Sequence, residues 1–355
     1  MPLDHFITLG RSGLRVSPLC LGTMTFGEDF GWGASPEESY AMLSEYLNWG
    51  GNFVDTANIY TAGHSEKIIG DYMRENDVRR DGIVLSTKFY CSLFSGDPNG
   101  GGGGRKALLQ QCEASLKRLQ TDYIDIYWLH NWDQTAPIEE TLRGLDDLVT
   151  AGKIRYVGFS DIPAWKTAEA QTITYFRGWA PIIALQLEYS LLERTSEGEL
   201  FPMARAMGMG VMPWSPLKSG FLSGKFRRGD EGDVDTKRTG MVGVPSETDY
   251  DIIEAVADVA SELGLSSASV ALAWVRSRAG VSSTLVGARR LDQLKANLDS
   301  VGVTLSAGQM KKLDDVSKPK LNFPAENNET LAPMLGFPGT TVDGRTVPSP
   351  SRLST

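Results

Sequence analysis

The sequence predicts a single α/β domain built as a (β/α)8 barrel, and three observations carry that expectation. Eight short runs are apolar enough to be buried strands and too short for helices. They recur at roughly 26–42 residues through the seventh, near the ~30 residues of one βαβ unit. Between them lie polar loops and amphipathic segments of helical period. The runs are Leu19–Gly22, Phe53–Asp55, Ile83–Lys88, Ile124–His130, Ile154–Ser160, Ile182–Gln186, Val211–Trp214 and Thr284–Gly287. Most are rich in Val, Ile and Tyr, as buried strands are. The alternation implies a parallel sheet; closing eight units gives the barrel, and an open doubly wound sheet is the rival architecture.

Each element has its own local reason. FITLGRSGLRVSPLCLG reads as a hairpin over about residues 5–18, turning at Arg11-Ser12-Gly13 with glycine supplying a positive φ. Ser35 is placed to cap PEESYAMLSEYLNW, with Pro36 in the first turn and Glu38 completing a capping box. ALLQQCEASLKRL, IEETLRGLDDLVTAG, PAWKTAEAQTITYF and DIIEAVADVASELG carry the same 3.6-residue stripe. Three segments break the rhythm: Phe89–Gly104, Lys218–Ser246 and a tail over about residues 320–355, read as irregular. In a barrel the first two follow strands three and seven and overhang the C-terminal mouth, where catalysis sits. The five glycines Gly100 to Gly104 lack the GxxxxGK[ST] spacing of a phosphate loop and read as a flexible hinge or spacer.

Composition narrows the classes further. The 355 residues include 35 basic and 44 acidic side chains, a formal charge of −9, which disfavours a nucleic-acid or polybasic membrane-surface partner. An apolar fraction of 41 % is that of a folded chain with a large core. Cys20, Cys91 and Cys112 are odd in number and far apart, so neither a disulfide framework nor a metal knuckle is expected. The start shows no apolar leader and no run approaches ~18 apolar residues, so the expected protein is soluble and cytoplasmic.

Four polar residues fall where barrel chemistry sits. Strand two ends in Asp55 and its loop continues to Tyr60; strand three ends in Lys88; strand four ends in His130. Singly, each has an ordinary explanation as a cap, a rim charge or a satisfied core histidine. Together they are complementary. A phenol near pKa 10 is a poor acid at neutral pH, and a nearby ammonium is expected to lower it. Asp55 would hold Lys88 in place, and His130 would orient a carbonyl beside Tyr60. Such a set protonates a carbonyl oxygen while something else attacks the carbon.

The surrounding motifs resemble those of the aldo-keto reductases. Phe53-Val54-Asp55-Thr56-Ala57-Asn58-Ile59-Tyr60 with Gly63-His64-Ser65-Glu66, Ser86-Thr87-Lys88, and Trp128-Leu129-His130-Asn131-Trp132-Asp133 carry the likeness. It continues through Gly152 to Asp161, Gln186, Trp214-Ser215-Pro216-Leu217 and Gly287-Ala288-Arg289, covering about residues 5 to 318. The WDQTAPIEETL segment is most similar to the branch of aryl-alcohol dehydrogenases and potassium-channel β-subunits. The resemblance implies a (β/α)8 TIM barrel that reduces aldehydes or ketones reversibly. Tyr60 would be the acid/base, Lys88 and Asp55 its tuning pair, and His130 the orienting residue.

It also implies NADPH/NADP+ as cofactor, with NAD the less favoured choice. Gly22, Thr23 and Met24 would approach the nicotinamide ribose, beside Asp55. Ser160, Asp161 and Gln186 match carboxamide positions, and Trp214 the stacking aromatic. Ser215, Pro216, Leu217 and Gly220 would meet the pyrophosphate, with Lys225 nearby. Gly287, Arg289, Gln293 and Asn297 would hold the adenosine end, helped by a helix N-terminus. Two departures stand out: Asp161 replaces a common Asn, and Trp214 a common Tyr. Phe26, Phe30, Trp32, Tyr90 and Trp132, with Met334 or Leu335 from the tail, are the candidate substrate lining. The partner is a small carbonyl compound or alcohol; oligomeric state is not readable. Rival readings are a channel-subunit-like regulatory barrel, and a glycosidase pairing Glu188 with Asp55 or Asp161.

Overall fold

The computed structural model describes residues 3–229 and 243–349. Residues 7–8 and 15–16 form an antiparallel hairpin, β1 (Ile7–Thr8) and β2 (Arg15–Val16). Eight parallel strands follow: β3 (Leu19–Gly22), β4 (Phe53–Asp55), β5 (Val84–Phe89), β6 (Ile124–Leu129), β7 (Ile154–Ser160), β8 (Ile182–Glu188), β9 (Gly210–Trp214) and β10 (Thr284–Val286). Their spatial order is β10-β3-β4-β5-β6-β7-β8-β9, so each strand neighbours the next in sequence and β10 returns to β3. The last seam is stitched by one parallel bridge, Val211 to Val281. This is a nearly closed (β/α)8 barrel, and the open-sheet rival is excluded.

Helices α1 (Pro36–Asn48), α2 (His64–Glu75), α3 (Arg105–Leu119), α4 (Ile138–Thr150), α5 (Ala164–Arg177) and α6 (Leu200–Met207) connect the strands up to β9. Two helices, α7 (Glu247–Leu263) and α8 (Ser267–Arg276), precede β10, and α9 (Leu291–Asp299) and α10 (Ala307–Val316) follow it. Among the described residues no single helix is long and apolar enough to cross a membrane. Ser35 caps α1 by accepting from the Glu38 N–H (3.2 Å), but Glu38 returns no bond, so the expected box is one-sided.

The strand period of two divides the core in two. Cys20, Phe53, Val84, Ile126, Trp128, Ala184 and Met212 point inward, while Leu21, Val54, Leu85, Tyr127 and Leu185 pack outward beneath the helices. Leu9 and Val16 of the hairpin plug the N-terminal end of the inner cluster. The hairpin's positive φ belongs to Gly10 (57°) rather than Gly13. A Cβ at Gly10 would stand 2.3 Å from the Ile183 carbonyl oxygen. Inside the barrel a Cβ at Gly158 would lie 2.2 Å from the Trp128 ring. Gly158→Ala is therefore expected to cost about 1–3 kcal/mol by overpacking, measured by denaturant unfolding.

Two irregular segments are more ordered than their composition suggests. The glycine run is pinned: Gly102 N–H donates to Tyr90 O (2.7 Å), Gly103 N–H to Asp133 Oδ2 (2.7 Å), and Thr141 Oγ1 to Gly103 O (2.8 Å). A Cβ at Gly101 would reach 2.6 Å from Tyr90 O, so these glycines serve close approach, not a hinge. The tail forms a helix, α11 (Ala325–Gly336), and a short hairpin, β11 (Thr341–Val342) with β12 (Arg345–Thr346). Asn327, Asn328, Thr330 and Pro333 weaken the helical signal of this stretch, whose Ala325 is buried 3.2 Å from the Cβ position of Gly198. The Lys218–Ser246 segment begins with a turn over Lys218–Ser223 and ends at Ser246, which caps α7; positions 230–242 within it lie outside the described residues.

Candidate active site

Strand parity delivers the polar residues to one place. Asp55 shares its face with Phe53, and Lys88 with Val84 and Ser86, so both point into the barrel at its C-terminal end. Lys88 Nζ bonds the Asp55 carboxylate, donates to Thr56 O (2.9 Å), and lies 3.1 Å from the Tyr60 hydroxyl. Asp55 Oδ1 also accepts from Ser86 Oγ (2.5 Å) and Gln186 Nε2 (3.2 Å). Both charges are therefore fully buried and fully bonded, as buried charges must be.

Tyr60 stands at the start of a tight turn in which Thr61 and Ala62 adopt left-handed φ of 46° and 55°. Thr61 Oγ1 secures the turn by donating to Phe26 O (2.8 Å) and accepting from the Ser65 N–H (3.0 Å). The Tyr60 and His130 rings meet edge to face, with centroids 6.1 Å apart. Burial lowers the His130 pKa to about 3, aided by the Lys88 charge, so the imidazole is neutral at pH 7. The Tyr60 phenol corrects the expectation. Burial raises its pKa above the ordinary value, and Lys88 only partly opposes the rise. Burial also opposes the charge on Lys88, yet Asp55 and Tyr60 outweigh it and raise that pKa as well.

Beside this cluster opens a cavity of about 650 Å³. Asp55, Tyr60 and His130 line it, while Lys88 lies behind them. Every residue assigned to the dinucleotide lines it too. Gly22, Thr23 and Met24 come from the end of β3, Ser160 and Asp161 from β7, and Gln186 from β8. Trp214, Ser215, Pro216, Leu217, Gly220 and Lys225 follow β9, and Gly287, Arg289, Gln293 and Asn297 follow β10. Lys218, Ser219 and Gly220 have successive left-handed φ of 45°, 54° and 104°, and their N–H groups close the turn on Ser215 O (2.8 Å), Ser215 Oγ (3.1 Å) and Leu217 O (2.9 Å). At the α9 N-terminus the N-cap Arg290 makes no side-chain cap bond, and the first-turn Asp292 carboxylate accepts from the Gln293 N–H and pairs with Arg290 (2.9 Å).

A model of the aldo/keto reductase family matches residues 18–318. The chain belongs to that family. It is 37 % identical over 335 residues to an uncharacterized oxidoreductase, YrpG, of Bacillus subtilis (strain 168), covering 92 % of this chain and 98 % of the relative. A norsolorinic acid reductase of Aspergillus flavus is 34 % identical, covering 90 % and 82 %. An aryl-alcohol dehydrogenase of Pestalotiopsis microspora is also 34 % identical, covering 94 % and 86 %. This aldo/keto reductase is accordingly an oxidoreductase acting on carbonyl or alcohol groups, in a family that generally uses nicotinamide cofactors.

The expected substrate lining fares differently, since none of those aromatics borders the cavity. Phe26 is fully buried in the reductase core, because its loop folds back through Phe26 N–H to Thr23 O (3.0 Å) and a bridge to Ala34. Phe30 is exposed and faces Trp32 at 6.3 Å; Tyr90 packs partly against the core. Trp132 meets Trp165 edge to face at 5.4 Å, on the rim above β6 and β7. Met334 and Leu335 lie on α11, also outside the lining. Conversely, Thr25, Phe221, Phe226, Ser266 and Leu272 line the cavity without having been expected there. Phe221 and Phe226 form an edge contact (4.9 Å) and Thr25 Oγ1 donates to Ala288 O (2.6 Å), tying the β3 and β10 loops together.

Proposed function

We propose that this reductase reduces aryl aldehydes or ketones reversibly, with NADPH as the redox partner and Tyr60 as the acid/base. One observation carries the reading: a buried ammonium, Lys88, bonds both the Asp55 carboxylate and the Tyr60 hydroxyl at the edge of a cavity large enough for a dinucleotide. The fit is good. Among the described residues, a Cβ at Gly220 would meet nothing nearer than Ser223 Oγ at 4.0 Å, so glycine there leaves room inside the cavity. Trp214 offers a flat face, and the Arg289 guanidinium in the lining suits a 2′-phosphate. When bound, NADPH supplies a hydride to the carbonyl carbon.

The chain's residues handle the oxygen. The neutral His130 donates a hydrogen bond that fixes the carbonyl, and Tyr60 Oη transfers its proton to that oxygen as negative charge develops. The raised phenol pKa suits this direction. Tyr60 holds its proton at neutral pH, and the nascent alkoxide is a far stronger base than phenolate. Lys88 then stabilises the phenolate that remains. An aryl substrate is supported by the Trp132–Trp165 pair on the rim and by the relatives named as aryl-alcohol dehydrogenase and norsolorinic acid reductase.

The test combines NADPH oxidation against an aldehyde panel with titration of NADPH by tryptophan fluorescence. Turnover that depends on Tyr60 supports the reading. Tight NADPH binding without turnover would favour a regulatory barrel instead, and no binding would remove the cofactor assignment.

Asp161 adds a pH dependence. Trp214 Nε1 donates to its Oδ1 (3.1 Å), and the groove walls, although open to water, desolvate it enough to raise its pKa to about 6. Below that value the carboxyl can donate to a carboxamide oxygen; above it, it only accepts and its charge favours the positive ring of NADP+. The ratio of dissociation constants, NADPH over NADP+, should therefore rise several-fold between about pH 5 and 7.5, and Asp161→Asn should flatten the profile.

A further inference from the structure

His130 must present a particular nitrogen to do its work. A neutral imidazole has one N–H and one lone pair, and only the form protonated at the cavity-facing nitrogen can donate to a carbonyl oxygen. The backbone at His130 is fixed by its N–H donating to Phe89 O (3.0 Å). Its Nδ1 lies 3.9 Å from Cys91 Sγ, a residue with no assigned part in the chemistry.

The local structure around Cys91 is built to aim it. Tyr90, immediately before it, has φ 119°, a conformation that non-glycine residues rarely adopt. Bonds from three elements hold that strain. Tyr90 N–H donates to Gln111 Oε1 of α3 (3.0 Å), and Gly102 N–H of the glycine run donates to Tyr90 O (2.7 Å). Asn58, in the loop after β4, donates through Nδ2 to both Cys91 O (2.7 Å) and Gln111 Oε1 (2.9 Å). Burial raises the Cys91 thiol pKa above its ordinary value, Lys88 opposing only in part, so the sulfur keeps its hydrogen at neutral pH.

We propose that Cys91 is a positioning residue: its Sγ–H donates to His130 Nδ1 and holds the imidazole as the Nε2–H tautomer, with Nε2–H available to substrate oxygen. The tautomer stands on this geometry. Its consequence for turnover rests on the reductase reading above.

The chain has only three histidines, so long-range ¹H–¹⁵N spectra of the full-length protein resolve each ring, with His130→Asn identifying the relevant one. Expected is a single Nε2–H form in wild type, a mixture of both tautomers in Cys91→Ala, and recovery of the single form in Cys91→Ser, which keeps a donor. A wild-type ring protonated at Nδ1 overturns the proposal, as does an unchanged tautomer in Cys91→Ala; the wild-type spectrum decides even if a variant misfolds. With an aryl aldehyde, Cys91→Ala should lower kcat about tenfold, the scale on which loss of an outer partner acts, with KM nearly unchanged. If no aldehyde is turned over while the spectra follow expectation, the reductase reading fails and the tautomer assignment stands.

Discussion

Replacing Tyr60 by Phe should lower kcat for aldehyde reduction by about 10²–10⁴-fold, the usual scale of a lost proton donor. The substitution removes one oxygen and little else. Lys88 keeps its bonds to Asp55 and to Thr56 O, so the buried ammonium stays satisfied, and the ring keeps its edge contact with His130. NADPH affinity, followed by fluorescence titration, should therefore hold within about twofold while turnover collapses. Equal rates in the two proteins would remove Tyr60 as the acid. Because the phenol pKa is raised, reduction should stay flat with pH through the neutral range, whereas alcohol oxidation, which needs phenolate, should climb toward alkaline pH.

The second large effect is on stability. Asp55→Ala should cost about 3–5 kcal/mol in denaturant unfolding, because it strands a fully buried ammonium. Pairing it with Lys88→Met removes the stranded charge, and the double variant should recover a large part of the loss. Strict additivity of the two single effects would show that the ion pair is not a buried unit. Both single variants should also be inactive by the mechanism above, so unfolding midpoints must be read beside turnover.

Much of this was legible because strand periodicity is a strict rule. Phe53 and Asp55, Val84 and Lys88, Trp128 and His130 each differ by an even number of positions, so apolar parity alone sends the polar members to the barrel interior. The groove residues were legible for a different reason, since they sit in motifs that resemble those of the aldo-keto reductases. Loop aromatics obey neither rule. Phe26 turns inward through a backbone fold that no periodicity announces, and so it joins the core. Helix α8 gave no stripe because Ala268 to Val275 are all buried, leaving no polar face to mark a period. The sign of the Tyr60 shift was also hidden, since it depends on how burial weighs against one neighbouring cation rather than on which residue types are present.

The groove walls come chiefly from β7 through β10 and β3, whereas the buried ion pair and the imidazole belong to β4, β5 and β6. Of the rim segments after β3 and β5, residues 28–32 and 93–99 belong neither to the groove lining nor to the Asp55, Lys88, Tyr60 and His130 cluster. Mutational drift there alters the doorway and leaves the engine intact. Among such barrels, the range of molecules admitted is thus the trait freest to diverge.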